Sequence, residues 1–176
     1  MWQGLLRIEE VWHVGRSGEI LWSKKNLRNM LHTTGESLLL NAMFVGGNVS
    51  NDFIPDTYYF GLDNRDALSL SDTLEEVSAV EPTGNGYERA GISSSGQFQV
   101  IPVGSYHQAN SPIVTFTSTV SDYDRDVRNF FMCTVPTGTE GTLISSVPLT
   151  STVRVRTGES ISMRMGLMLR DVPSPS

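Results

Sequence analysis

The sequence predicts a mainly β protein, an antiparallel β-sandwich of jelly-roll or Ig-like kind with one helix in its N-terminal third. Three observations carry that expectation. Short runs rich in Val, Ile, Phe, Tyr and Thr recur from residue 57 almost to the end, separated by Gly, Pro, Asn, Asp and Ser clusters. Period-two alternation is clean near the C-terminus, where Val153 and Val155 alternate with Arg154 and Arg156, and Ile161, Met163, Met165, Leu167 and Leu169 with Ser162, Arg164 and Arg170. Only the segment after Thr33 has sustained helical spacing.

In chain order, Leu5 to Trp12 and Glu19 to Ser23 flank the turn-prone Gly15 to Gly18, which reads as a hairpin. Thr33 stands three residues before Glu36, the capping-box spacing, so a helix is expected to start there. Leu38, Leu39, Ala42, Met43 and Val45 form its apolar face, and Gly46 and Gly47 end it. Asn48 to Pro55 is a polar turn region, Thr57 to Leu62 an aromatic-rich strand, and Ser71 the cap of one helical turn through Asp72 to Glu76. Pro82 to Gly86 marks a sharp loop before a strand at Tyr87 to Ile92. Further strands are expected at Phe98 to Ile101, Ile113 to Val120, Val127 to Val135, Thr142 to Val147, Ser151 to Arg156 and Ser160 to Arg170. Gly158 and Glu159 turn the chain between the last two, and Val172 to Ser176 is a frayed or extended tail. No repeat or linker divides the chain, so residues 1–176 are read as one domain.

Composition narrows the function. At 176 residues, with 39% hydrophobic and 18% charged positions, the chain can bury about 70% of its unfolded surface without staples. A net charge of −6 with no basic block argues against nucleic acid, whose affinity comes from clustered cations. Apolar runs are far shorter than the ~20 residues a bilayer span needs, and acids stand where a signal peptide would be apolar. Neither membrane insertion nor Sec export is therefore expected. Lys24 and Lys25 are the only lysines, and arginine, whose planar fork suits interfacial pairing, supplies the other cations. Cys133 is alone and sits in an apolar run, which forbids an internal disulfide and marks the thiol as core.

Reacting groups are scarce. His13, His32 and His107 have no nucleophile or carboxylate motif beside them. Asp122, Asp124 and Asp126 alternate as in a calcium loop, yet Val127 replaces the turning glycine and no closing glutamate follows, so an Arg-paired turn is expected. Glu9, Glu10, Glu75 and Glu76 read as surface. Gly84-Asn85-Gly86 lacks the lysine and following helix of a phosphate loop and reads as a positive-φ turn. Trp12 and Trp22 fall in the opening hairpin, where cross-strand aromatic pairs are common. No catalytic residue, cofactor or metal is assigned.

Ile20 to Asn26, Asn29 to Leu31, Thr34 to Glu36, Tyr58 to Arg65, Asp72 to Leu74 and Glu81 to Arg89 together resemble a group of small virion proteins of tailed bacteriophages, over roughly the first half of the chain. Val153 to Leu169 is similar to the closing hairpin of many phage tail and head accessory proteins. The resemblance implies a structural virion protein made in a bacterial cytoplasm, a head decoration or cement protein or a tail or adaptor component. Its partners would be capsid, neck or tail subunits and further copies of itself, with a trimer as the first expectation. Aromatics and arginine are enriched at interfaces, so Trp12, Trp22, Tyr87, Arg89, Arg154 and Arg156 are the interface candidates. A receptor- or glycan-binding module at a fibre or spike is the alternative, and a glycan hydrolase ranks last.

Overall fold

The computed structural model describes residues 2–44, 55–104 and 106–171. In chain order the strands are β1 (Trp2–Val14), β2 (Ile20–Arg28), β3 (Met30–Leu31), β4 (Thr57–Asp63), β5 (Ala90–Ser93) and β6 (Gln99–Val103). They continue as β7 (Tyr106–Asn110), β8 (Val114–Thr117), β9 (Val127–Cys133), β10 (Leu143–Val153) and β11 (Ser160–Asp171). The helices are α1 (Thr33–Phe44) and α2 (Leu74–Ser78). The strands form two antiparallel sheets, as expected of a β-sandwich. One runs β2-β1-β11-β7-β6, with β8 also on β11; the other runs β3-β10-β9-β4-β5.

Alternation decides which side chains meet between the sheets. From the first sheet Ile8, Val11, Ile161, Met163 and Met165 point inward, and from the second Phe60, Leu62, Phe130, Met132, Ile144 and Val147; all are buried. Strand β9 is buried on both faces, because Phe131 and Cys133 point away from this core into a second cluster with Leu143 and with Leu74 and Val77 of α2. The connection from residue 64 to residue 89 thus covers the outer face of the second sheet. Among the described residues no helix or strand packs on the outer face of the first sheet.

Sheet edges are blunted. Strand β2 carries both lysines, exposed, followed by Asn26 at φ 57°, a left-handed residue unusual within a strand. Strand β6 contains Pro102, β5 has four residues, and β3 has two.

Four local expectations are corrected. Helix α1 starts at Thr33 itself, with the His32 carbonyl accepting from Glu36 N at 2.9 Å, while the Thr33 hydroxyl donates to Leu70 O. The reciprocal capping box stands instead at Thr73 and Glu76, ahead of α2, so Ser71 is not its cap. The expected strands Thr142 to Val147 and Ser151 to Arg156 merge into one irregular strand, β10, which ends at Val153, so Arg154 to Arg156 lie in the loop that follows it. This strand does not pair with β11: the chain crosses between the sheets, and β11 pairs with β1 from Trp2↔Asp171 to Val14↔Ser160. Trp12 lies opposite Ser23 and Trp22 opposite His13, so the two indoles occupy opposite faces and form no pair. The short strands β3 and β7 were not foreseen. Val45, the glycine stop at Gly46 and Gly47, most of the turn from Asn48, and the Val172 to Ser176 tail lie outside the described residues.

Candidate functional site

Two guanidinium groups fasten the covering segment at its ends. At the first, Arg65 makes a two-pronged contact to Asp63 (3.0 and 2.9 Å), reaches Asp72 at 2.7 Å and donates to Ser146 Oγ at 2.7 Å. Asn129 donates to Asp63 Oδ1 at 2.7 Å, so this wholly buried carboxylate has its charge and lone pairs matched. At the far end Arg89 pairs with Glu81, donates to Ser78 Oγ (2.6 Å) and Val135 O (3.2 Å), and lies 5.3 Å over the Phe131 ring. Burial alone would pull the Arg89 guanidinium down, but Glu81, Cys133 and Tyr87 outweigh it and leave it above the usual arginine value. Tyr87 donates to Glu81 Oε2 at 2.9 Å and accepts from Leu62 N; burial, then the Glu81 charge, hold its phenol far above the ordinary value.

Of the groups that could react, His107 on β7 is exposed, and the others are enclosed. His32 lies 2.9 Å from Ser146 Oγ through Nε2 and 2.9 Å from Ser69 O through Nδ1. A carbonyl only accepts, so Nδ1 carries the proton and Nε2 accepts from the serine, whose oxygen receives Arg65. This has the connectivity of a nucleophile and its base, yet both residues are 0% exposed and no substrate atom can approach. Burial, then Arg65, holds the His32 pKa below its ordinary value. His13 meets Glu159 at 3.0 Å, also buried. Burial pushes the Cys133 thiol up, so it stays protonated and unreactive.

One end of the sandwich is built from loops that hold one another. Gly84, Asn85 and Gly86 all take positive φ, and Asn85 donates to Asp122 O at 2.9 Å and accepts from Ser121 Oγ at 2.7 Å. Asp124 accepts from Thr83 N and Oγ1, both at 2.8 Å, Asp122 accepts from Thr157 N at 3.0 Å, and Asp126 pairs with Arg154 at 3.0 Å. Asp122 also lies 3.9 Å from Arg154, so the alternate carboxylates are taken up by Thr83, Thr157 and a shared arginine rather than aimed at one point. Thr157 N–H lowers the Asp122 pKa; for Asp124 slight burial acts upward, and the Thr83 donors and Arg125 bring it down. Among the described residues no three His, Cys, Asp or Glu side chains gather as metal ligands.

The six interface candidates therefore divide. Arg89 is buried and fully engaged inside the chain, and Tyr87 is packed on Phe116 and Tyr123 with its hydroxyl at Glu81; both fasten the covering segment rather than face a partner. Trp22 is half-buried against the core, Trp12 is half-buried on the open face of the first sheet, and Arg154 and Arg156 are exposed at the loop end. Ile20 and Val120, at 66% and 80% exposure, add aliphatic contact area that the sequence reading passed over. Both are β-branched residues beside turn signals, where exposure is legible in principle. Glu9 accepts from Gln108, Glu10 pairs with Lys25 at 3.1 Å, and Glu76 closes its cap.

Fold and loops define an antiparallel β-sandwich with one face open and one end made of mutually bonded loops. No family model matches the chain, and no curated protein matches it in sequence. No helix among the described residues is long and apolar enough to cross a membrane.

Proposed function

We propose that this chain is a structural subunit of a tailed bacteriophage virion, made in the host cytoplasm and assembled as a symmetric homo-oligomer on head, neck or tail. The observation that carries the reading is the distribution of its chemistry. His13, His32, Ser146 and Cys133 are buried against protein partners, whereas the exposed loop end offers Arg154, Arg156, Ile20 and Val120, which suit repeated contacts with other subunits. The resemblance of Tyr58 to Arg65 and Glu81 to Arg89 to small virion proteins agrees with it. A contact of about 1,600 Å², repeated by symmetry, attaches such a subunit firmly without any tight single site.

The test is mass spectrometry and antibody-labelled electron microscopy of purified particles. The chain is expected in stoichiometric, regularly spaced copies, and its absence from mature particles overturns the proposal. Solution mass then separates the forms: a monomer that orders only on particles fits a cement or adaptor, a preformed trimer a spike segment.

A further inference from the structure

Strands β7 and β8 are one strand interrupted beside β11. Gly166 pairs with Asn110 and Met163 with Val114, so Arg164 and Met165 on β11 stand opposite three residues, Ser111, Pro112 and Ile113. Such a bulge re-aims side chains and is common next to functional sites. Ser111 stays tied to β11: its N–H donates to Met165 O at 2.9 Å and its Oγ accepts from Met165 N at 3.0 Å. Pro112 and Ile113 are displaced outward, and Ile113 is left 48% exposed. Since Met163 and Met165 point into the core, Arg164 points to the open face of the sheet, as do Asn110 and Gln99, which pair across β6 and β7.

The result is a concavity of about 340 Å³ lined by Gln97, Gln99, Asn110, Ser111, Pro112, Ile113 and Arg164. Part of its polar lining is unspent. Arg164 is half-buried, and neither it nor Gln99 makes a side-chain hydrogen bond or ion pair among the described residues. Asn110 uses its Oδ1 to accept from Gln108, and Gln97 its Oε1 to accept from Ser93 N at 2.6 Å; the amide NH2 of each is left to donate. The site thus presents one guanidinium fork and several carboxamide groups beside a small apolar wall, in a protein whose net charge is −6.

We propose that this concavity binds a carboxylated saccharide. Arg164 takes the carboxylate through two parallel N–H bonds, Gln97, Gln99 and Asn110 take ring hydroxyls, and Pro112 with Ile113 covers a C–H face of the ring. An acidic peptide fits less well. Main-chain recognition needs a continuous free strand edge, and the neighbouring edge strand β6 is interrupted by Pro102. The volume is near the lower end of small-ligand sites, room for a sugar or two rather than an extended chain. The inference does not depend on the virion reading, and either can fail alone.

The test is calorimetry of the purified chain with 3′-sialyllactose and with a glucuronate-terminated disaccharide, using lactose as the neutral control. At least one acidic saccharide is expected to bind saturably with lactose tenfold weaker or more. Arg164→Ala should lose tenfold or more, Arg164→Lys an intermediate amount because charge survives without the fork, and Gln99→Ala about threefold. Circular dichroism and melting curves of each variant report the fold. Should Arg164→Ala not fold, Gln99→Ala on the exposed edge decides alone. No saturation by either acidic saccharide up to about 10 mM, equal binding of lactose, or affinity unmoved in the folded variants overturns the proposal.

Discussion

Replacing Arg89 by methionine removes one member of a buried ion pair and keeps most of the side chain's length. Arg89 and Glu81 side chains are 3% and 10% exposed, so solvent cannot stand in for the lost guanidinium. The Ser78 hydroxyl loses its donor as well, the Val135 carbonyl keeps only the weak Cys133 thiol donor, and Glu81 keeps only the Tyr87 hydroxyl of the side-chain donors described above. Breaking such a pair from one side costs about 3–5 kcal/mol, and for a domain of this size each kcal/mol moves Tm by roughly 2–4 °C. Arg89→Met should therefore melt about 6–20 °C below the parent, with a matching fall in urea midpoint at unchanged m. The double variant Arg89→Met, Glu81→Leu removes the stranded charge and should recover at least about 2 kcal/mol, although it forfeits the Tyr87 hydrogen bond. A single-variant cost under about 1 kcal/mol, or a double variant no more stable than the single, refutes the claim that this pair fastens the covering segment.

Three further outcomes follow from the same structure. A Cβ at Gly35 would lie 2.2 Å from the Ile144 backbone oxygen, so Gly35→Ala should destabilise by ~1–3 kcal/mol in urea melts, despite the gain of about 1 kcal/mol that alanine brings to a helix; a stabilised variant contradicts the close seating of α1 on β10. His32 is held below its ordinary pKa of 6.5, so below that pH the unfolded chain binds a proton the folded chain refuses. Stability from this group is complete above pH 6.5 and falls by up to about 1.4 kcal/mol per pH unit as pH drops from 6.5 towards the folded value; His32→Gln should flatten that slope, and identical slopes count against it. Lys24→Val with Lys25→Thr should convert the β2 edge into a pairing surface, seen as concentration-dependent dimers or aggregates in ultracentrifugation; a strictly unchanged sedimentation profile argues that the lysines do not guard that edge.

Much of the fold was legible because alternation is a local signal. Ile161 to Leu167 declares its inner and outer rows whatever it packs against, and Gly84-Asn85-Gly86 declares a left-handed turn. Pairing partners were not legible. The Arg156 to Glu159 turn looks like a hairpin turn in sequence, and only the sandwich shows that the chain uses it to change sheets. Strand β9 hid its second buried face because Phe131 and Cys133 continue an apolar run whose outer partner, α2, lies more than fifty residues upstream. The same distance effect hid the role of Arg89: an arginine beside Glu88 in an expected strand reads as an interface residue, and its partner Glu81 becomes evident only when Arg89 lies folded over Phe131. Arg164 was placed correctly on the outward row, but the concavity beside it exists only because Ser111 to Ile113 bulge from a strand whose first half was not foreseen.

The pairing of β1 with β11 has a consequence for how the protein is made. The two central partners of the six-stranded sheet are the first and last strands described, so a ribosome releases β1 and β2 long before their neighbour exists. Until then the nascent hairpin shows Ile8 and Val11 to water and offers β1 as an open template. Synthesis speed and chaperone supply, more than final stability, then set the yield of this chain in the cell that makes it.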